Sequence, residues 1–420
     1  MTQKTFELKL NRSSLNMLLV IIVIVVSDDT LLFGTNRNST FETLKYIILI
    51  GTLIILSASL LKILNIRQIS YARVSYVILC ILVLLSGIIN EDLRTGYFYK
   101  CIILILSFKI TEKMSLQDFA QKFEKVIFVL AFVSMICTLI AEVNLAIFSV
   151  FPVFFNSANT SFYNMGLYMV PTSAQLLRNY GIFREPGVYQ MFLMIALLFH
   201  LYFSDELKKS HIVVFISSIV LTFSTTGYIA LAFFLVLFLI KKNESFTDNK
   251  KKYFIVLLMI VGIIYMITQT DLLSSNGMVF DKLSNTKRTT TIARMSSIFV
   301  NLEIWKKSPI FGAGLISVSE MFPSLTYQLY GKAITHNTNT LLCELSTYGV
   351  IYTAVLIYGY VKFSKAMSEK FMERLMILLI VFILSCGEKM TFSPIIYILM
   401  FYGISFKKKN QGNLFDINDV

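Results

Sequence analysis

Apolar runs of roughly 15–20 residues, about the span of a bilayer core, follow one another along nearly the whole of this chain. The first, Leu15 to Val26, reads LNMLLVIIVIVV. Of the 420 residues 56% are hydrophobic and only 15% charged, with a mean hydropathy of +0.70. A water-soluble fold of this size cannot hide so much apolar surface, so the surrounding solvent must be lipid. The pattern predicts helices over 15–34, 44–61, 74–89, 97–108, 126–150, 187–203, 212–224, 228–240, 253–268, 338–361, 375–386 and 395–406. The expected fold class is an all-α polytopic membrane protein with about 12 transmembrane helices, residues 1–420 forming a single transmembrane domain. The first run lacks a small-residue cleavage site and is followed by many more, so it reads as a retained helix, not a secretion signal. Five cysteines (Cys80, Cys101, Cys137, Cys343, Cys386) are scattered without metal-like spacing and read as apolar filler.

The formal charge of +13 would suit a nucleic-acid binder, but its distribution argues otherwise. Most of the 38 lysines and arginines fall in alternate short connections, among them Lys109 to Lys125, Lys241 to Lys252 and Lys362 to Arg374. That is the bias of cytoplasmic segments, and it places both termini in the cytoplasm. No nucleic-acid partner is expected. Two long connections, 151–186 and 269–337, then fall outside, and both have mixed composition with aromatic residues, Pro and Gly. MSLQDFAQKFEK (114–125) reads as an interfacial amphipathic helix capped by Ser115. No internal repeat is evident, which disfavours transporter folds built from inverted halves.

The candidate chemistry gathers on the outer face. In RNYGIFREPG (178–187), Pro186 suits the first turn of a helix, whose N-terminus attracts anions and phosphate above all. Arg178 and Arg184 supply forked donors matched to phosphate oxygens, unless they serve lipid head groups. Glu185 is either a candidate base or a helix cap. The second cluster is KAITHNTNTLLCELSTYGV (332–350), where His336 is the only outer histidine; His200 and His211 fall at the cytoplasmic boundary. Imidazole can take a proton from a sugar hydroxyl, and Asn337, Thr338 or Asn339 can cap the following helix. Otherwise His336 is an interfacial residue. Glu344, one or two turns deeper, is either functional or a buried structural hydrogen-bond partner. Between the clusters, Arg288 and Arg294 are further phosphate candidates and Trp305 can stack on a sugar ring. Gly312 and Gly314 in SPIFGAG read as a turn, since the GK[ST] ending of a P-loop is missing. Asp28 and Asp29 read as a hydrated helix end, a metal site being the lesser alternative, and no metal or cofactor is expected.

R-N-Y-G-I-F-R-E-P-G resembles the R-x-x-G-x-F-x-E-P-G signature of Wzy-type oligosaccharide repeat-unit polymerases of O-antigen and capsule. S-T-T-G (224–227) looks like another of their features. The order Arg294, W-K-K-S-P-I-F-G-A-G (305–314), H-N-T (336–338), L-S-T-Y-G-V (345–350) is similar to the C-terminal region of the O-antigen ligase/polymerase superfamily. Arg184 departs from the pattern, which has an aromatic residue there. The resemblance implies a GT-C-like glycosyltransferase in the bacterial cytoplasmic membrane. It would join undecaprenyl-pyrophosphate-linked oligosaccharides at the outer face, with flippase and chain-length regulator proteins as further partners. A pyrophosphate leaving group is stabilised by arginines and helix N-termini without a metal, and one general base suffices, His336 first and Glu185 second. A polysaccharide ligase would use the same groups. A lipid-linked oligosaccharide flippase or transporter would instead place its charges near the bilayer midplane.

Overall fold

The computed structural model describes residues 12–27, 30–32, 39–61, 71–92, 94–155, 160–174, 177–242 and 278–406; at residue 12, 39–42, 57–61 and 278–291 only the backbone is described. The apolar runs become helices because a backbone in lipid must satisfy its own hydrogen bonds. In chain order these are α1 (Arg12–Val25), α2 (Ser39–Leu61), α3 (Tyr71–Ile89), α4 (Gly96–Lys113), α5 (Leu116–Val143), α6 (Pro186–Phe203), α7 (Lys209–Leu221) and α8 (Thr225–Lys242). They continue with α9 (Met278–Lys307), α10 (Gly314–Tyr330), α11 (Thr340–Met367), α12 (Phe371–Gly387) and α13 (Pro394–Ser405). The described residues are 76% helical, and 5 helices among them are long and apolar enough to cross a membrane, by length and composition. Helix α6 is 89% buried in its apolar window against 33% for α3, so α6 is surrounded by protein while α3 faces outward. It packs between α5, α7 and α8, and α8 in turn lies on α12. A second layer sets α11 against α9, α12 and α13, with α13 on α4.

One expectation is corrected, and two long connections carry structure of their own. The stretch 269–337 forms α9 and α10 from Met278 onward, which pack on each other around Val300, Ile304 and Phe322. Low hydropathy hid α9, whose polar residues Ser297 and Asn301 are buried. The 114–125 segment is no separate surface helix but the first turns of α5. Ser115 caps it by accepting from the Asp118 amide at 3.1 Å. Its Phe119 and Phe123 are fully buried against Phe199 of α6, so the segment packs inward. The connection 151–186 carries a small antiparallel sheet, β1 (Val153–Phe155), β2 (Ser161–Asn164) and β3 (Met169–Pro171), in that order. Phe162 faces Phe154 on one side and Pro171 on the other. Buried Tyr168 ties this sheet to α5 through a 2.7 Å hydrogen bond with Thr138. The helix expected at 253–268 and the Asp28–Asp29 pair lie outside the described residues.

Helix α11 is broken at Gly349, where φ is +83°. The break is repaired by the SPIFGAG turn. The Val350 amide donates to the Pro309 carbonyl at 2.9 Å, and Ser346, freed of its helical partner, accepts from the Ala313 amide at 2.8 Å. A Cβ on Gly349 would overlap the Ile310 carbonyl, and one on Gly312 would overlap the backbone of Thr347. These glycines let two backbones touch and have no phosphate to cradle. Gly349→Ala should cost about 2 kcal/mol or more, since positive φ and overlap add. A lowered midpoint in a detergent thermal-shift assay, with loss of the monodisperse gel-filtration peak, is the expected outcome.

Candidate functional site

The RNYG stretch is laced to its surroundings before it enters α6. The Asn179 amide donates to the Leu221 carbonyl at 2.9 Å, and the Asn179 Oδ1 accepts from the Gly181 amide at 3.2 Å. Gly181 has φ +55°, and a Cβ there would lie 2.8 Å from the ring of Tyr189. Phe183 packs on Phe192 at 4.3 Å between ring centroids, and the Ile182 carbonyl accepts from the Leu31 amide. Pro186 opens α6, with Glu185 in extended backbone before it. The Glu185 side chain makes no capping bond, so it is free for other work.

What occupies the mouth of α6 is Glu388, from the connection between α12 and α13. A Cβ on Gly187 would overlap the Glu388 carboxyl oxygen. Glycine at the second helical position therefore makes the seat in which Glu388 lies, close to the positive end of α6. Burial pushes the Glu388 carboxyl up to about 8, and the neighbouring Glu185 carboxylate, with which it shares a hydrogen bond, pushes the same way. Arg184 and Arg294 act against this but do not overcome it. Near neutral pH the two carboxyl groups hold one proton between them, as like charges at close range require. Arg184 sits beside them. Its Nη1 lies 3.7 Å from Glu185 Oε1, and its Nη2 donates to the Lys389 carbonyl at 2.7 Å. The Glu388 connection is fixed from the other side by α11, where Thr340 Oγ1 donates to the Glu388 carbonyl at 2.6 Å and accepts from the Met390 amide at 2.9 Å.

The remaining candidates divide. Arg178 is committed to the α7–α8 turn, donating to the Thr222 and Phe223 carbonyls at 2.8 and 2.7 Å. Those bonds fix the two residues just before STTG, of which Phe223 has φ +48°; Arg178 also lends its charge to Glu185 and Glu388. Arg294 is exposed on α9, one turn before Ser297 and Asn301, which stitch that helix to the HNTN segment. Ser297 Oγ accepts from the Thr338 amide at 2.9 Å, and Asn337 Nδ2 donates to Asn301 Oδ1 at 3.0 Å. Asn337 is thereby a strut, while Asn339 is the actual cap of α11, accepting from the Leu342 amide at 2.9 Å. His336 is exposed and makes no hydrogen bond or ion pair to described residues. Of Arg288 only the helical backbone is described. Glu344 is structural: fully buried, it pairs with Lys100 of α4 at 2.5 Å.

Two cavities flank residues 386–392. One, of about 680 Å³, is lined mainly by leucine and other apolar side chains, with Arg294, Trp305 and Asn339 as its polar walls and Cys386 and Thr226 at its edge. Trp305 donates its Nε1–H to the Pro309 carbonyl at 3.0 Å, which fixes the indole in that wall. The other, of about 100 Å³, lies between α10, α11 and the same connection, with Thr335, Asn337, Lys389 and Thr391 among its lining. His336 stands between two of those residues in sequence. The reading of the sequence missed Glu388, although GEK between two apolar helices is an ionisable pair at a membrane boundary.

A carboxyl held neutral by burial stabilises the fold below the ordinary value of 4.5 and loses that advantage as pH rises through about 8. The wild-type melting temperature should therefore fall between pH 5 and pH 9. Partial exposure of Glu388 screens some of the effect, and a flatter profile for Glu388→Gln, about 2 °C above wild type at pH 9, is expected.

No curated protein and no solved structure matches the chain. Residues 211–358, from α7 into α11, match the family model described as O-antigen ligase (Wzy_C). This stretch, well under half of the chain, is thus similar to the O-antigen ligase/polymerase superfamily of surface-polysaccharide membrane proteins, and the match does not divide polymerase from ligase.

Proposed function

We propose that the chain is an oligosaccharide repeat-unit polymerase acting on polyprenyl-pyrophosphate-linked sugars at the outer face of the bacterial cytoplasmic membrane. The observation that carries this reading is the convergence of Glu185, Glu388, Arg184 and Arg294 on the N-terminus of α6, with Arg294 also walling the larger apolar cavity. That cavity suits an isoprenoid tail whose pyrophosphate lies against the arginines. Charge decides the fit. With one shared proton the carboxyl pair carries a single negative charge, so Arg184 and Arg294 outnumber it and leave the site positive for a pyrophosphate.

In the transfer, an acceptor sugar hydroxyl attacks the anomeric carbon of the donor. A C–O bond forms there while the bond to pyrophosphate breaks, and the pyrophosphate leaves with the electron pair. The arginines stabilise that charge as it develops. The hydroxyl proton goes to the imidazole of His336, which is exposed and has no competing partner among the described residues. Glu185, half-exposed and not used as a cap, accepts hydrogen bonds from sugar hydroxyls of the donor. Arg178 is a positioning residue that holds the STTG turn. The ligase reading stands second, favoured by the description of the matching family model. The two differ in acceptor: a lipid-linked repeat unit for the polymerase, a different glycan or lipid for the ligase.

The test is in vitro elongation by the purified full chain with a synthetic lipid-linked repeat unit. Arg294→Ala and His336→Ala should each lower the rate by roughly 10²–10⁴. Activity should decline as pH rises through about 8, where Glu388 ionises and cancels an arginine, and Glu388→Gln should lose that decline. Near-normal rates for both Arg294→Ala and His336→Ala would remove the proposed site. Transfer only to a non-lipid-linked acceptor would select the ligase.

Sidedness has its own check. With the five cysteines replaced, single cysteines at exposed Ser173 and Lys332 should react with a membrane-impermeant thiol reagent in intact cells. Labelling that appears only after permeabilisation would turn the molecule over.

A further inference from the structure

About 20 Å from the candidate site, at the far end of α6, the other two histidines of the chain meet one carboxylate. Glu124 of α5 lies with its Oε1 2.6 Å from His211 Nδ1 of α7 and 3.2 Å from His200 Nδ1 of α6. One ligand atom from each of the three residues falls within 4.8 Å of the others. The residues are 76 and 87 positions apart from Glu124 in the chain, and the packing of α5, α6 and α7 alone brings them together. Nothing in the proposed transfer uses them.

His200 is the telling member. It is 1% exposed, yet neither of its ring nitrogens completes a hydrogen bond. Among the described residues its one polar contact is the 3.2 Å approach of Nδ1 to Glu124, a partial return for the hydration that burial removes. His211 by contrast is well supported: its ring stacks on Phe128 at 3.8 Å between centroids and stands at the edge of the packing. The two imidazoles lie 5.1 Å apart, inclined by 28°. Two ligand atoms each about 2.0 Å from a tetrahedral zinc ion stand about 3.3 Å apart, close to the His200–Glu124 spacing. The tighter His211–Glu124 contact needs only a small withdrawal of a partly exposed ring to match it.

We infer that Glu124, His200 and His211 form a binding site for a divalent transition metal of the zinc class. Two imidazoles and one carboxylate are a ligand set suited to zinc, with a fourth position left for water on the more open His211 side. The ion would clamp α5, α6 and α7 at the end remote from the sugar chemistry and bond the His200 nitrogen that now only approaches Glu124. It plays no part in the transfer step.

The experiment uses the full chain, purified in detergent through an affinity tag that contains no histidine. The protein is stripped with a chelator, incubated with zinc sulfate, dialysed, and its metal content measured by plasma mass spectrometry. About one zinc ion per chain is expected, with cobalt in its place giving the visible absorption of a tetrahedral site. His200→Ala and His211→Ala should each weaken zinc binding by about 10-fold or more. His336→Ala should leave the stoichiometry unchanged. If His200→Ala fails to fold, His211→Ala decides alone, because its ring lies at the edge of the packing. A wild-type chain that retains no zinc, or one whose zinc is lost only with His336, overturns the inference and leaves a hydrogen-bonded triad.

Discussion

Everything at the candidate site depends on Glu388 lying against the first turn of α6. That turn has unsatisfied amides and a positive end, and the sequence leaves a gap there by placing glycine at 187. The gap is filled by a carboxyl group from a connection 201 residues away in sequence, held at its backbone by Thr340 of α11. One contact thus joins the first helical layer to the second. The neighbouring arginines follow from it: Arg184 reaches over the same connection to the Lys389 carbonyl, and Arg294 approaches from α9. A helix mouth that looks ready for a free anion is in fact shared with a protonated acid. Its charge depends on that proton.

The connection that carries Glu388 is anchored from below by a second charged pair. Lys100 and Glu344 are wholly buried, 2.5 Å apart, with Lys100 also donating to the Thr391 carbonyl at 2.6 Å and to the hydroxyl of Tyr397. The rings of Tyr348, Tyr352 and Phe392 surround the ammonium group at 5.1 to 5.6 Å. Removing one partner would strand the other charge in a medium that cannot solvate it, a penalty of several kcal/mol. The pair is a pin between α4, α11 and residues 391–397. A charge pair in the interior of a bundle is the pattern expected of a transporter, yet this one has no exposed side-chain surface to offer a cargo.

Helix positions were largely legible in the sequence, because apolar length is a local property that lipid reads directly. Eleven of the expected runs overlap described helices, with ends shifted by up to ten residues. What local patterning could not supply was polar structure closed by distant partners. The polar helix α9 is stable through Ser297 and Asn301, whose partners lie 36 to 45 residues on. The short sheet of 153–171 depends on pairing that hydropathy does not encode. For the site, the RNYGIFREPG and HNTN stretches were recognisable as two helix mouths, but their division of labour was not. Arg178 spends its fork on the Thr222 and Phe223 carbonyls just before STTG, and Asn337 is a strut to Asn301. Glu388 escaped notice because its significance lies in the glycine opposite.

The connection 386–392 stands between two cavities of unlike character, and this gives the site a direction. On one side lie apolar walls with an exposed arginine; on the other, threonine, asparagine and lysine line a smaller space. A transferase that joins two lipid-linked sugars must hold two similar molecules in dissimilar roles, or each would inhibit the other by occupying its place. Under the proposed polymerase function, unequal cavities on either side of one acidic connection supply that asymmetry. In that proposal the larger takes the chain whose pyrophosphate leaves, near Arg294, and the smaller, bordered by the residues flanking His336, takes the hydroxyl that gives up its proton. Gly349 and the SPIFGAG turn then acquire a purpose beyond repair of a helix. About three turns below its cap, they tie α11 to the Pro309 carbonyl, which also holds the Trp305 indole of the larger cavity, while Thr347, two residues before the break, lines the smaller one.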